Sequence, residues 1–111
     1  MSKSVAFLVL LVAALLEAGG DALVRTGLRA SGLGGRLLWM ASGGVVLLTY
    51  GIVVNTPAWN FGRLLGVYVV LFFLVAQVIG WAFFDELPTA STLVGGSLIL
   101  VGGIVVSAGF R

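Results

Sequence analysis

Cysteine and histidine are both absent from the chain. Without cysteine neither a disulfide nor a thiolate metal site can form, and the redox compartment leaves no mark on the sequence. Without histidine the usual general base near neutral pH and the commonest metal ligand are missing, so carboxylates are the groups left to exchange protons there. Charge of either sign is scarce too, at 9% of residues, with four acidic and six basic side chains. No nucleophile–base pair and no metal-ligand cluster can be assembled from this inventory. Enzymatic catalysis, a cofactor and a nucleic-acid partner are therefore not expected. Proline occurs only twice, at Pro57 and Pro88, which leaves long stretches free to run as uninterrupted helix.

What is present is apolar: 60% of residues are hydrophobic and the mean hydropathy is +1.22. That composition belongs to a membrane protein. A hydrocarbon core about 30 Å thick needs roughly 20 apolar residues per helix. Four segments qualify, from about Ser4 to Val24, Leu33 to Val54, Phe61 to Phe84 and Ser91 to Phe110. The connectors Arg25 to Gly32, Asn55 to Asn60 and Asp85 to Ala90 carry the polar residues and both prolines. Lys3 followed by an apolar run and small residues near Ala18 to Gly20 could also open a cleaved signal peptide. The run continues to Val24 and three more spans follow, which assigns it to helix one. The expected fold is an all-α membrane protein, one four-helix domain over residues 1–111.

Four spans of this size enclose little space among themselves, which favours an oligomer. Cations in short loops normally fix orientation, but here they balance. Lys3, Arg63 and Arg111 fall on one side, and Arg25, Arg29 and Arg36 on the other. A chain without bias can insert both ways, and two copies inserted oppositely make an antiparallel, dual-topology homodimer; the amino terminus or a partner could equally tip the balance. In helix four, Gly95 and Gly102 lie seven apart with Leu98 and Ile99 between, and Ser91, Gly96, Gly103 and Ser107 widen the same smooth surface. Lipid gives helices no hydrophobic reason to associate, so close approach over small residues supplies the packing. That surface suits a dimer contact or packing within one protomer.

Glu17 stands inside the first apolar run, with Asp21 the only other charge before Arg25. An ionised carboxylate at that depth costs on the order of 2.5 kcal/mol or more. Helical spacing aligns Leu10, Ala13, Ala14, Glu17, Gly20, Asp21 and Val24 on one side, a mostly small or acidic stripe with space for a ligand or a neighbouring helix. Two carboxylates one turn apart oppose each other's ionisation, which marks the pair as proton-exchanging groups.

The run Glu17-Ala18-Gly19-Gly20, with Arg25 eight positions after the glutamate, resembles the first helix of the small multidrug resistance family within the drug/metabolite transporter superfamily. Gly80-Trp81-Ala82-Phe83-Phe84 with Glu86 resembles the end of that family's third helix and its turn. Gly95, Leu98, Ile99 and Gly102 resemble its fourth-helix dimer motif, and Tyr68 falls where it carries a binding-site aromatic. Gly62-Arg63 followed by Tyr68 is closer to the YnfA-type branch. The chain departs from the exporters at Asp21, where a small or hydroxyl residue is usual, and at Val70 to Phe72, where the helix-bending glycine pair is missing; Gly66 and Gly80 remain as hinges.

The resemblance implies an antiparallel homodimer in a prokaryotic inner membrane. Its two Glu17 side chains face one chamber and hold either protons or a small organic cation, of guanidinium or quaternary ammonium type. Tyr68, Trp81 and Tyr50 are candidates for cation–π contact, although a tryptophan near a helix end also serves as an interface anchor, the role assigned to Trp39 and Trp59. Arg63 either snorkels to the surface or, across the antiparallel dimer, pairs with Asp21 or Glu17 as a gate. Asp21 could instead pair with Arg25 one turn on, and Asp85 and Glu86 begin a solvated turn. An alternative with the same hydropathy is a membrane subunit of a lipid-carrier flippase, or one that stabilises a partner, for which Glu17 would be dispensable.

Overall fold

A computed structural model describes residues 1–109. It consists of α1 (Lys3–Arg29), α2 (Leu33–Val54), α3 (Phe61–Phe84) and α4 (Ala90–Gly109), with no strand among the described residues. All four helices are long and apolar enough to cross a membrane. The expected end of helix four at Phe110, and the loop cation Arg111, lie outside the described residues.

Ser2 caps α1, its hydroxyl accepting from the Val5 N–H at 3.2 Å. The helix then runs five residues past Val24, into what the sequence reading took as connector, and the link to α2 shrinks to residues 30–32. The cause is packing: Gly27 sits so close to α2 that a Cβ there would lie 2.7 Å from Met40 Cγ and 3.1 Å from the Arg36 carbonyl. Contact with α2 thus carries the helix beyond the apolar run. At its far end α3 stops at Asp85, which adopts the left-handed conformation at φ 55°, a conformation aspartate tolerates better than most residues. The Gly80 carbonyl accepts from the N–H groups of both Asp85 and Glu86. Inside the spans, Ser42, Thr49 and Ser97 return their hydroxyls to carbonyls four residues back, at 2.8–2.9 Å, so these three hydroxyls are not offered bare to lipid.

The helices form a row, α2–α1–α3–α4, in a slab of 51 × 34 × 19 Å. Leu10, Ala13 and Ala14 of α1 are wholly buried against Leu64, Val67 and Tyr68 of α3, with Val54 of α2 closing the cluster. Two contacts depend on glycine. Where α1 crosses α2, a Cβ on Gly43 would lie 2.9 Å from the Gly20 carbonyl, and one on Gly20 would lie 3.2 Å from the Gly43 carbonyl. Where α4 rides on α3, a Cβ on Gly96 would meet the Phe73 ring at 2.6 Å, and one on Gly103 would overlap Val70. Gly95 and Gly102 have nothing within 4 Å of their Cβ positions, and Leu98 between them is 70% exposed. The single small surface expected on helix four is therefore two faces, one spent inside the protomer and one open.

The two neighbours Gly43 and Gly44 give a direct check. Gly43→Val should destabilise the protein by about 1–3 kcal/mol, the usual range for overpacking, whereas Gly44→Val, with nothing within 4 Å, should unfold in detergent within about 0.5 kcal/mol of wild type.

Candidate functional site

Glu17 lies on the side of α1 that faces α3, between the buried Ala13 and Ala14 and the buried Ala18 and Gly20. Because those neighbours are small, α3 comes close enough for the Tyr68 hydroxyl to donate to Glu17 Oε1 at 2.8 Å. This is a charge-assisted bond when the carboxylate is ionised. It joins residues 51 positions apart, and Tyr68 is only 4% exposed. The Tyr50 ring of α2 lies 5.8 Å from that of Tyr68, tilted by 32°, and within electrostatic reach of the same carboxylate. Phe72, one turn beyond Tyr68, stacks on it at 6.1 Å. Three helices thus bring one carboxylate and three aromatic rings to one place, half open to the outside.

Asp21 is one turn from Glu17 but has different surroundings. It is exposed and lines a cavity of about 180 Å³ between α1 and α3, together with Arg25, Phe72, Ala76 and Glu86. The expected Asp21–Arg25 pair does not form. The Arg25 guanidinium reaches Glu86 Oε2 at 3.3 Å and lies 5.3 Å over the Phe84 ring. The left-handed turn at Asp85 folds Glu86 back over the last turn of α3, so Glu86 is not simply solvated as expected. With side chains 44% and 59% exposed, this bridge adds less than about 1 kcal/mol of stability.

Within the protomer Trp81 does not join Glu17. It lies thirteen residues beyond Tyr68, roughly 20 Å along the helix at 1.5 Å per residue, and it is 58% exposed, the position of an interface anchor rather than a wall of the site. Arg63 sits toward the opposite membrane face from Asp21, its guanidinium carbon 5.0 Å over the Trp59 ring. Gly66 packs beneath Val106, and Gly80 supplies the carbonyl of the α3 cap beside Glu86. Phe72 was missed by the sequence reading, though its position four residues after Tyr68 places it on the same helix face.

Over most of its length the chain is similar to proteins described as UPF0060 membrane proteins. It is 31% identical over 98 residues to one from Clostridium perfringens, with 86% of each chain covered. It is 32% identical over 104 residues to one from Herpetosiphon aurantiacus, covering 91% of each. To one from Desulfitobacterium hafniense it is 30% identical over 103 residues, covering 91% of this chain and 92% of the relative. No family model and no solved structure matches the chain.

Removing only the Tyr68 hydroxyl should be visible in Glu17 itself. In Tyr68→Phe, the carboxyl bands assigned to Glu17 by Glu17→Gln difference infrared spectra should shift, with a stability loss of about 0.6 kcal/mol, the average for hydrogen bonds between membrane helices. Unchanged bands would mean that the hydroxyl does not hold the carboxylate.

Proposed function

The chain belongs to the UPF0060 family of bacterial membrane proteins, the small YnfA-type proteins akin to drug/metabolite transporters, and on that premise we propose that it exports small organic cations in exchange for protons. The observation that carries this reading is the Tyr68–Glu17 hydrogen bond within the spans. A carboxylate there can bind a proton or a cation but not both. Each ligand lowers the affinity for the other by the same factor, and that reciprocity couples their movements in opposite directions.

The tyrosine rings suit the same substrate class. Tyr50 and Tyr68 offer π faces beside the carboxylate, the combination that binds guanidinium or quaternary ammonium groups. Transport would proceed by alternating access in a homodimer joined through the open face of α4, at Gly95, Leu98 and Gly102, with Ile99 beside it. That face is supported by the open space at Gly95 and Gly102 and the exposure of Leu98, whereas Ile99 is half-buried on the side of Gly96 and Gly103; an antiparallel pairing is supported by the even split of cations between the two membrane sides.

The test is a titration of purified protein in weakly buffered detergent with a panel of guanidinium and quaternary ammonium compounds, recording released protons. Wild type should release protons on binding, and Glu17→Gln should release none. Silence of the wild type across the panel would contradict the exporter reading and favour a subunit role, for which Glu17 is dispensable.

A further inference from the structure

α1 and α3 pack closely over only part of their shared length. Leu10, Ala13, Ala14 and Ala18 of α1 bury in one cluster with Leu64, Val67 and Tyr68 of α3, and Ala18 is the last residue of α1 in it. Gly20 and Gly27, farther on, are buried against α2 instead. On α3 no described residue after Val75 is buried. The two helices therefore part beyond Glu17, toward the membrane side of Arg25, and the cavity of about 180 Å³ that Asp21 lines occupies the space between them. A second hollow of about 390 Å³, reaching Trp39 of α2, shares Ala22, Ile79 and Phe84 with it.

This cleft has an inner end and a mouth. At the inner end stand Ala18, next in sequence to Glu17, and Phe72, whose ring stacks on Tyr68 beside the Glu17 hydrogen bond. The mouth is crossed by the Arg25–Glu86 bridge at 3.3 Å, with the guanidinium also over Phe84. The left-handed turn at Asp85 and the 3.0 Å hydrogen bond from the Glu86 N–H to the Gly80 carbonyl aim the carboxylate across the gap. Asp21, exposed, stands on the wall between the two ends. One water needs roughly 10–15 Å³ of such space and polar partners. The cavity offers far more room than that, and Asp21, Arg25 and Glu86 supply the partners.

We propose that this cleft is a water-filled entry to Glu17 from the membrane side of Arg25, and that the Arg25–Glu86 bridge is the latch across its mouth. A bridge with both side chains about half exposed is weak, so it closes the mouth without locking it. It ties α1 to the turn after α3 where the two helices are least packed, so breaking it frees the mouth while the buried cluster around Leu10 and Tyr68 holds the other end. That the entry serves a cation and a proton rests on the exchange reading; the opening of the cleft does not.

The cysteine-free chain makes any introduced thiol unique. Ala76→Cys places one on the cleft wall. Its rate of modification by a trimethylammonium-bearing methanethiosulfonate, in nanodiscs whose two faces both meet the solution, reads access. Adding Glu86→Gln or Arg25→Gln should each raise that rate about two- to fivefold, the range for loss of an exposed bridge. The reversed pair, Arg25→Glu with Glu86→Arg, should return it to the Ala76→Cys value. Charge steering alone predicts otherwise, since the two single changes shift the local charge in opposite senses and would move a cationic reagent's rate in opposite directions. Leu48→Cys, exposed on α2, should stay unreactive throughout, which separates opening of the cleft from general loosening. Ala22→Cys, on the opposite wall, replaces Ala76→Cys if the latter does not fold. No reaction in any variant, an unchanged rate when the bridge is broken, or opposite effects of the two single changes would overturn the proposal. Because the thiol reports access whether or not cations are exchanged at Glu17, a failed latch and a failed exporter reading give different results.

Discussion

A carboxylate on a membrane-spanning helix is tolerated only where the protein itself meets it, and the Tyr68–Glu17 hydrogen bond is where that happens here. The arrangement around it follows. Alanine at positions 13, 14 and 18 and glycine at 20 keep the Glu17 side of α1 low, which lets α3 bring a buried tyrosine up to the carboxylate. The rings of Tyr50 and Phe72 then both pack on Tyr68. Leu64 and Val67, which bury against the same stripe of α1, fix the height of α3 so that the hydroxyl arrives at the level of Glu17.

Lipid offers helices no hydrophobic reward for meeting, so the row of four depends on contacts only small residues permit. Gly20 with Gly43 brings α1 onto α2, and Gly96 and Gly103 bring α4 onto α3. What remains open is informative for the same reason. Gly95 and Gly102 are one position away from the glycines that pack, and with Leu98 they form a low ridge that the protomer does not use.

The spans could be read from the sequence because hydropathy and turn residues report on the bilayer, which is the same for every helix. The end of α1 was not legible, since Arg25 and Arg29 read as loop and only the Gly27 contact with α2 shows why the helix continues. Glu17 and Tyr68 could be found, one as a charge in an apolar run and the other through family resemblance, but nothing local revealed that they touch. Trp81 illustrates the limit of resemblance: its motif was recognisable, yet within the protomer it stands thirteen residues along α3 from Tyr68 and does not meet Glu17. Arg25 had two carboxylates to choose from, and the choice of Glu86 over Asp21 depends on a left-handed turn at Asp85 that no pattern of charges announces.

Among the described residues, Asp21, Asp85 and Glu86 all lie toward the membrane side that holds Arg25, Arg29 and Arg36, which makes the two sides chemically unlike. That asymmetry bears on the proposed exchange of a proton and a cation at one carboxylate. The most direct measurement is flux in proteoliposomes loaded with a quaternary ammonium compound and an internal pH dye. An outward cation gradient should drive protons inward and acidify the lumen in wild type, with no acidification in Glu17→Gln. Cation efflux without acidification, or acidification that survives Glu17→Gln, would contradict the account.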